Sequence, residues 1–175
     1  MRYTDTMRTT SSTQAGSDLF SAIVAAPFGA VGIRGDAGAL RELVYLPPRF
    51  DSKPAADPLS ARVADQLSRY FDDADATFDV PLGAVGTPFQ QRVWTAIAAI
   101  PRGSVLTYGQ VARQIGSAPR AVGQACGANW FPVLIPCHRV TATAGLGGFS
   151  HHDDADGFYL GVKRWLLAHE GVAGY

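Results

Sequence analysis

A cysteine followed directly by a histidine and an arginine, Cys137-His138-Arg139, is the segment of this sequence best suited to chemistry. A thiol is a weak nucleophile until it ionises, and with an ordinary pKa near ~8.5 only a few per cent is thiolate at neutral pH. His138 and Arg139 are residue types that can raise that fraction. Adjacent side chains on an extended backbone point to opposite faces, so the spacing alone leaves open a buried structural cysteine without a His138 contact.

The residues before this cysteine predict how it is positioned. The apolar run at residues 131–135 is too short for a helix and predicts a buried strand that ends at Pro136. Cys137 is then expected on the turn that follows.

Length and composition predict a globular protein with a frayed N-terminus at residues 1–18, a supporting domain at 19–83 and a functional domain at 84–175. The chain has 175 residues, of which 47% are hydrophobic and 17% charged. No run approaches the ~18 apolar residues of a membrane span, and the polar start lacks the apolar part of a signal peptide. We therefore expect no membrane association and a cytoplasmic location.

Only two cysteines are present, Cys126 and Cys137, which argues against a disulfide scaffold and against a structural zinc site. The cluster His151-His152-Asp153-Asp154 could suggest a metal, but without a second ligand cluster it favours a solvated loop. We expect no cofactor and no metal site, although the sequence does not decide whether a zinc ion binds.

Charge is distributed unevenly although the formal net charge is zero. The segment through Gly83 carries eight Lys or Arg and eleven Asp or Glu, whereas the segment from Ala84 carries seven and four. Between Val80 and His152 there is no acidic residue at all. A stretch of this length without a carboxylate favours a surface that faces phosphates.

The hydrophobic pattern predicts an α+β protein: a small N-terminal antiparallel sheet with a helix, followed by a mainly helical domain with a helix-turn-helix. The first half should contain strands at 20–25, 30–34 and 40–46, a helix at 59–71 and a last strand at 78–82. The second half should contain helices at 88–100, 108–115, 120–128 and 158–170. A short turn at Gly116-Ser117 joins the second and third of these helices, which is the helix-turn-helix pattern.

Six segments of the second half form a specific series: Gly86-Thr87-Pro88-Phe89-Gln90 with Val93-Trp94, Leu106-Thr107-Tyr108-Gly109, Arg120-Ala121-Val122-Gly123, Asn129, Pro136-Cys137-His138-Arg139-Val140, and Lys163-Arg164-Trp165-Leu166-Leu167-Ala168-His169-Glu170-Gly171. In order and near spacing they resemble the O6-alkylguanine-DNA alkyltransferases, also called methylated-DNA–protein-cysteine methyltransferases. The resemblance covers about half the chain. The first half is similar only in its general layout.

The resemblance implies direct reversal of O6-alkylguanine damage, chiefly O6-methylguanine, in double-stranded DNA. The protein would flip the base out of the duplex and move the alkyl group irreversibly onto its own cysteine, once per molecule. It implies that Cys137 is the acceptor, that His138 removes its proton through a water, and that Glu170 orients His138. Asn129 would brace the cysteine turn, and Tyr108 would assist the guanine as leaving group.

The same resemblance implies a DNA surface and a base pocket. Arg120 would fill the gap left by the flipped base, and Thr107, Ala121, Gly123 and Ala125 would lie against the minor groove. The pocket would be lined by Trp130, Pro132, Val140, Phe149 and Ser150. It also implies a monomer that can cluster along DNA, with cooperativity and the range of accepted alkyl groups left undetermined.

Two departures from the family pattern affect the pocket side: Trp130 stands where proline is frequent, and His151-His152 stand where two glycines are frequent, with an apparent insertion at residues 153–157. Two other functions remain as alternatives. A lesion-sensing protein without transfer activity would lack the cysteine. A cysteine hydrolase acting on another substrate would give no reason for Arg120 or the acid-free stretch.

Overall fold

The computed structural model describes residues 16–36 and 38–175 and divides the chain into two compact units, the first ending at Gly83 and the second beginning at Ala84. Most of the predicted frayed N-terminus lies outside the described residues. Residues 16–18, however, form a turn that Lys53 holds, because its Nζ donates to the carbonyl oxygens of Ser17 and Phe20 at 3.2 and 2.8 Å. The frayed N-terminus stays a prediction.

The first unit is an antiparallel sheet of three strands, β1 (Ala22–Ala26), β2 (Gly29–Gly35) and β3 (Leu40–Leu46), in the order β1-β2-β3. Helix α1 (Pro58–Asp72) packs on β1 and β2 and begins at Asp57, whose carboxylate accepts from the Ser60 amide. These elements lie close to their predicted positions because alternation and helical spacing are both pronounced here.

The strand predicted at residues 78–82 is wrong. The segment makes one isolated bridge, between Leu40 and Leu82, and the Leu40 amide donates to the Pro81 carbonyl at 2.8 Å. Pro81 has no N–H to donate, which is consistent with a ladder that does not extend along this segment.

The second unit consists mainly of four helices: α2 (Pro88–Ala98), α3 (Tyr108–Ile115), α4 (Pro119–Gly127) and α5 (Phe158–His169). Helices α3 and α4 form the predicted helix-turn-helix, and Gly116 ends α3 in the left-handed conformation at φ 64°. The α+β class is thus confirmed. The ends of α2, α4 and α5 fall one or two residues from the predicted ones.

Two short strands were missed by the sequence patterns. β4 (Leu106–Thr107) and β5 (Val140–Thr141) pair in parallel, with Leu106 opposite Val140 and Thr107 opposite Thr141. Two residues are too few to show a period, so only the tertiary structure reveals them. The pairing fixes the start of α3 beside the end of the cysteine turn.

A continuous core holds the helices of the second unit together. Trp94 on α2 is 4% exposed and its Nε1 donates to the Ala125 carbonyl on α4 at 2.8 Å. The other fully buried apolar side chains include Val93, Ile97, Val111, Val122, Leu166 and Leu167. No helix in the part of the chain that the structure describes has the length and apolar character of a membrane span.

Helix α2 begins with a capping box that generates a stability prediction. Thr87 Oγ1 accepts from the Gln90 amide and Gln90 Oε1 accepts from the Thr87 amide. Replacing Thr87 with alanine should lower the free energy of unfolding of the second unit by about 1 kcal/mol, because a helix-end N–H loses its acceptor. Urea denaturation followed by tryptophan fluorescence measures this, since all three tryptophans lie in that unit.

The matched control for this change is Thr95→Ala on the same helix. Thr95 is exposed and its hydroxyl donates to the Gln91 carbonyl inside the helix. This change should leave stability the same or slightly higher, because alanine has the higher helix propensity. An equal loss in both variants would contradict the capping role.

Candidate active site

Cys137 begins a single 3-10 turn, Cys137–Arg139, directly after Pro136. The predicted turn position of the cysteine is confirmed, but the strand predicted before it is wrong. Residues 131–135 form a tight loop in which the Ile135 amide donates to the Phe131 carbonyl at 2.8 Å and Val133 has φ 74°. Apolar content alone does not distinguish a buried loop from a buried strand.

The side-chain amide of Asn129 holds this loop and the cysteine together. Its Nδ2 donates to the Ile135 carbonyl at 2.8 Å and to Cys137 Sγ at 3.1 Å, and its Oδ1 accepts from the Phe131 amide at 2.9 Å. One side chain therefore satisfies both backbone ends of the loop. The same group positions the sulfur by donating to it.

His138 and Glu170 form a buried pair beside the cysteine. His138 Nε2 lies 2.9 Å from Glu170 Oε1, and the two side chains are 1% and 0% exposed. A carboxylate accepts, so Nε2 carries the proton and Nδ1 is left with its lone pair. Nδ1 is buried and makes no hydrogen bond to the described residues. Burial lowers the pKa of His138, against the opposing effect of Glu170, so the ring is neutral at neutral pH.

Arg139 forms an ion pair with the buried Glu170 carboxylate. Its Nε and Nη2 each lie 2.9 Å from one carboxylate oxygen, and its Nη1 donates to the Ile100 carbonyl at 2.6 Å. This fork geometry fixes the carboxylate plane. The guanidinium suggested as an activator of Cys137 therefore serves Glu170 instead.

Cys137 itself is 4% exposed, and the pKa of its thiol is raised well above the ordinary value. A hydrogen bond with the Cys126 thiol and burial raise it, while the Asn129 amide and the Lys163 charge lower it. The folded protein therefore holds Cys137 as a thiol at neutral pH.

Lys163 lies fully buried on α5, an unusual place for an ammonium group. Its Nζ donates to the carbonyl oxygens of Val140, Leu146 and Gly148 at 2.7, 2.7 and 2.9 Å. Burial lowers the pKa of Lys163 to about 8, although the nearby cysteines act in the opposite direction. The three bonds tie α5 to the segment that follows the cysteine turn.

A cavity of about 280 Å³ opens in front of the Cys137 sulfur. Its walls include Tyr108, Cys126, Cys137, Phe149, Ser150 and His151. Tyr108 Oη donates to the Gly148 carbonyl at 3.1 Å, and burial raises the pKa of the phenol, so it keeps its proton. The cavity thus brings together a thiol and a protonated phenol, with aromatic walls suited to a flat ring.

The loop at residues 149–152 is a tight turn that forms one wall. Phe149 and His152 exchange two backbone hydrogen bonds of 2.8 Å, with Ser150 and His151 at φ 50° and 63°. The His151 ring lies directly over Gly127, where an added Cβ would clash with the ring. Within the described residues, no three His, Cys, Asp or Glu side chains gather to hold a metal ion.

The start of α4 presents a basic surface. Arg120 is the second residue of the helix, is exposed, and makes no hydrogen bond or ion pair with the described residues. Ala121 and Gly123 are half-buried on the same helix. An added Cβ on Gly123 would touch the Tyr108 ring at 3.9 Å, an ordinary contact, and Gly123 also lines the cavity.

Comparison with known proteins identifies the family of this site. Residues 88–172 match the family model described as 6-O-methylguanine DNA methyltransferase, DNA binding domain. The methylated-DNA–protein-cysteine methyltransferase of Mycobacterium bovis is 41% identical over 126 residues, 68% of this chain and 76% of that protein. This chain belongs to the O6-methylguanine DNA methyltransferase family. The family predicted from the sequence is therefore confirmed.

Further relatives support membership of the O6-methylguanine DNA methyltransferase family. The methylated-DNA–protein-cysteine methyltransferase of Salmonella typhimurium is 45% identical over 114 residues, 62% of either chain. The crystal structure of Mycobacterium tuberculosis OGT in complex with DNA superposes with a TM-score of 0.69 and 38% identity, covering 85% of this chain and 91% of that one. The likeness extends well into the first unit, where the sequence resemblance was only general.

Several residues predicted for the methyltransferase site make other contacts in this structure or lie outside the cavity walls, and their predicted roles stay predictions. Ala125 is 2% exposed and packs in the core, so its placement does not support the predicted contact with DNA. Thr107 is half-buried and its hydroxyl accepts from the Gln110 amide as the cap of α3. Pro132 and Val140 are buried outside the cavity walls, and Trp130 is 43% exposed outside them.

Three residues that help to form the methyltransferase site had no assigned role in the sequence analysis: Cys126, Lys163 and Arg139 as the partner of Glu170. Cys126 is separated from Cys137 by ten residues, a spacing without a helical or strand period that would place them together. In the sequence, Lys163 has the character of a surface residue of an amphipathic helix. Only its burial in the folded protein distinguishes it from an ordinary surface lysine.

The buried neutral state of His138 predicts a pH dependence of stability. Because its pKa is lowered from 6.5 in the folded chain, the unfolded chain binds an extra proton as the pH falls below about 6.5. The unfolding free energy should decline there more steeply than in His138→Gln, by at most about 1.4 kcal/mol per pH unit. Urea denaturation between pH 7.5 and 5.5 gives both slopes.

The control for the pH experiment is His151→Gln, because His151 is exposed. Comparison of the two variants shows whether removal of any imidazole, or only of the buried one, reduces the pH dependence. If His138→Gln also kept the full slope, the buried neutral imidazole would not be the group responsible.

Proposed function

We propose that Cys137 accepts the alkyl group when this methyltransferase repairs O6-alkylguanine in double-stranded DNA. Transfer of an alkyl group from damaged DNA to a protein cysteine is the activity of the family to which the chain belongs. The observation that carries the assignment is the position of the Cys137 sulfur on the wall of the 280 Å³ cavity, with the Asn129 amide donating to it.

The reaction is a displacement at the alkyl carbon. The Cys137 thiolate attacks that carbon, the bond from carbon to the guanine O6 breaks, and a thioether and an unmodified guanine result. A thioether does not release the alkyl group, so each molecule acts once. The alkyl donor is the lesion itself, and the reaction as written needs no further cofactor.

We propose that His138 accepts the proton that the Cys137 thiol loses. The raised thiol pKa means that a base is needed, and the neutral imidazole with its unbonded Nδ1 is a suitable acceptor through an intervening water. Glu170 fixes the ring through Nε2 and stabilises the imidazolium that forms. The Lys163 charge favours the thiolate in the same step.

We propose that Tyr108 assists the guanine as it leaves. Its phenol keeps its proton and faces the cavity, so it can turn from the Gly148 carbonyl to the guanine as negative charge develops there. The Phe149 ring and the backbone near Ser150 would hold the base. The roles predicted for Pro132, Val140 and Trp130 in the pocket stay predictions.

We further propose that α4 enters the minor groove, with Arg120 in the gap left by the flipped nucleotide. Its exposed, unpaired guanidinium supports this, since filling the stack offsets an unstacking cost of a few kcal/mol. Action as a monomer that can cluster along DNA is also proposed, and sedimentation with and without duplex tests it. A cytoplasmic location is proposed because a working thiol requires a reducing compartment.

Mass spectrometry after mixing with a duplex that contains one O6-methylguanine tests the acceptor. We expect one added methyl per chain, located on Cys137, and none in Cys137→Ser although that variant still binds the duplex. Trypsin leaves Cys126 and Cys137 on one peptide, residues 121–139, so fragmentation of that peptide must place the methyl. A methyl on Cys126 would overturn the assignment.

Arg120→Ala tests the intercalating role. Repair of the duplex lesion should slow by at least about tenfold, the equivalent of about 1.4 kcal/mol, whereas attack on free O6-benzylguanine should hardly change because no duplex is opened. Arg69→Ala in the first unit, where Arg69 is ion-paired with Asp65, removes the same charge as a control. Equal losses on both substrates would contradict the role.

A further inference from the structure

The cavity contains a second thiol that the transfer reaction does not use. Cys126 lies in the last turn of α4 and Cys137 at the start of the 3-10 turn, and both side chains line the same cavity. They are the only cysteines of the chain, and neither forms a disulfide in this structure. A second sulfur beside the proposed acceptor can react with it.

The two thiols are neighbours in the wall of one small cavity. Both side chains line that cavity of about 280 Å³, and the Cys126 side chain is among the groups that raise the pKa of the Cys137 thiol. Two cysteines so placed form a disulfide when side-chain rotation and an approach of the backbone bring their sulfurs to the S–S bond length. Cys126 is in the final turn of its helix, where the backbone is least constrained.

We propose that Cys126 and Cys137 are a redox-modification site, at which a hydroperoxide converts the two thiols into a reversible disulfide. The consequence for repair rests on the proposed function of Cys137: while the disulfide is present, the alkyl acceptor has no thiol to offer. Reduction by a dithiol restores it.

The difference in exposure sets the order of events. Cys126 is half-buried, whereas Cys137 is 4% exposed, so peroxide reaches Cys126 first. The Cys126 sulfur attacks the outer oxygen of the hydroperoxide and becomes a sulfenic acid, while the O–O bond breaks and the thiol proton leaves with the other oxygen as alcohol or water. Cys137 sulfur then attacks the Cys126 sulfur, the S–O bond breaks, and the hydroxide leaves with the Cys137 proton as water.

The balance of this sequence is two thiols and one hydroperoxide giving one disulfide, one water and one alcohol, or a second water when the oxidant is hydrogen peroxide. Two electrons pass from the sulfurs to the peroxide oxygen. Because Cys137 is held in a disulfide, it does not advance to sulfinic acid, which thiols cannot reduce. The Asn129 amide loses its sulfur contact on oxidation but keeps its bonds to the loop backbone.

The test treats the full-length protein with a small excess of hydrogen peroxide, blocks the remaining thiols and digests it with trypsin without reduction. We expect the peptide of residues 121–139 to lose two hydrogens, to carry no blocking group, and to resist fragmentation between Cys126 and Cys137. Methyl transfer from an O6-methylguanine duplex should disappear in step with this peptide and return on reduction with dithiothreitol.

Two variants sharpen the test. Cys137→Ser should accumulate a sulfenic acid on Cys126 that dimedone traps, and Cys126→Ser should oxidise at Cys137 to forms that dithiothreitol does not fully reverse. Oxidation of the unmodified protein to sulfinic acid without the internal disulfide, or disulfides formed only between chains, would overturn the proposal. Methyl transfer by the untreated protein is measured separately, so failure of the proposed function is distinguishable from failure of the redox site.

Discussion

The Glu170 carboxylate is the group on which the rest of the site depends. It lies just after α5 with no side-chain exposure, and it accepts from His138 and, through two nitrogens, from Arg139. A buried carboxylate is stable only when such partners satisfy it, and these partners both come from the cysteine turn. The guanidinium in turn reaches the Ile100 carbonyl beyond α2. One ionic cluster therefore fixes the turn that carries Cys137 against two elements of the unit.

Different groups around Cys137 control the orientation of its sulfur and the ionisation of its thiol. The Asn129 amide orients the sulfur, while burial and the neighbouring thiol hold it protonated. A resting thiol is protected from adventitious electrophiles, because the thiolate is the reactive form. In the proposed reaction, the neutral His138 is the base and the buried Lys163 is the positive charge, so the proposed acceptor is not permanently ionised. The same cavity also contains Cys126, the partner in the proposed disulfide.

Local patterns predicted most of the fold. The sheet of the first unit, the helix-turn-helix and the last helix all appear near their predicted positions, because alternation, helical spacing, capping threonines and Gly116 agree with one another there. The failures lie where tertiary contacts override the pattern. Residues 131–135 are apolar enough for a strand. The Asn129 side chain, however, hydrogen-bonds the backbone at both ends of this segment, and these bonds replace the hydrogen bonds that a neighbouring strand would make.

The sequence by itself determined the family, and it supplied the short motif around the proposed acceptor Cys137, because these depend on residue type and order along the chain. The tertiary structure alone decided which groups contact them. Glu170 is 33 residues from Cys137, and Lys163 and Cys126 come from two different helices. Burial also decided that Ala125 belongs to the core and that Arg139 serves Glu170. Exposure, protonation and contact are properties of the packed chain, and no period along the sequence encodes them.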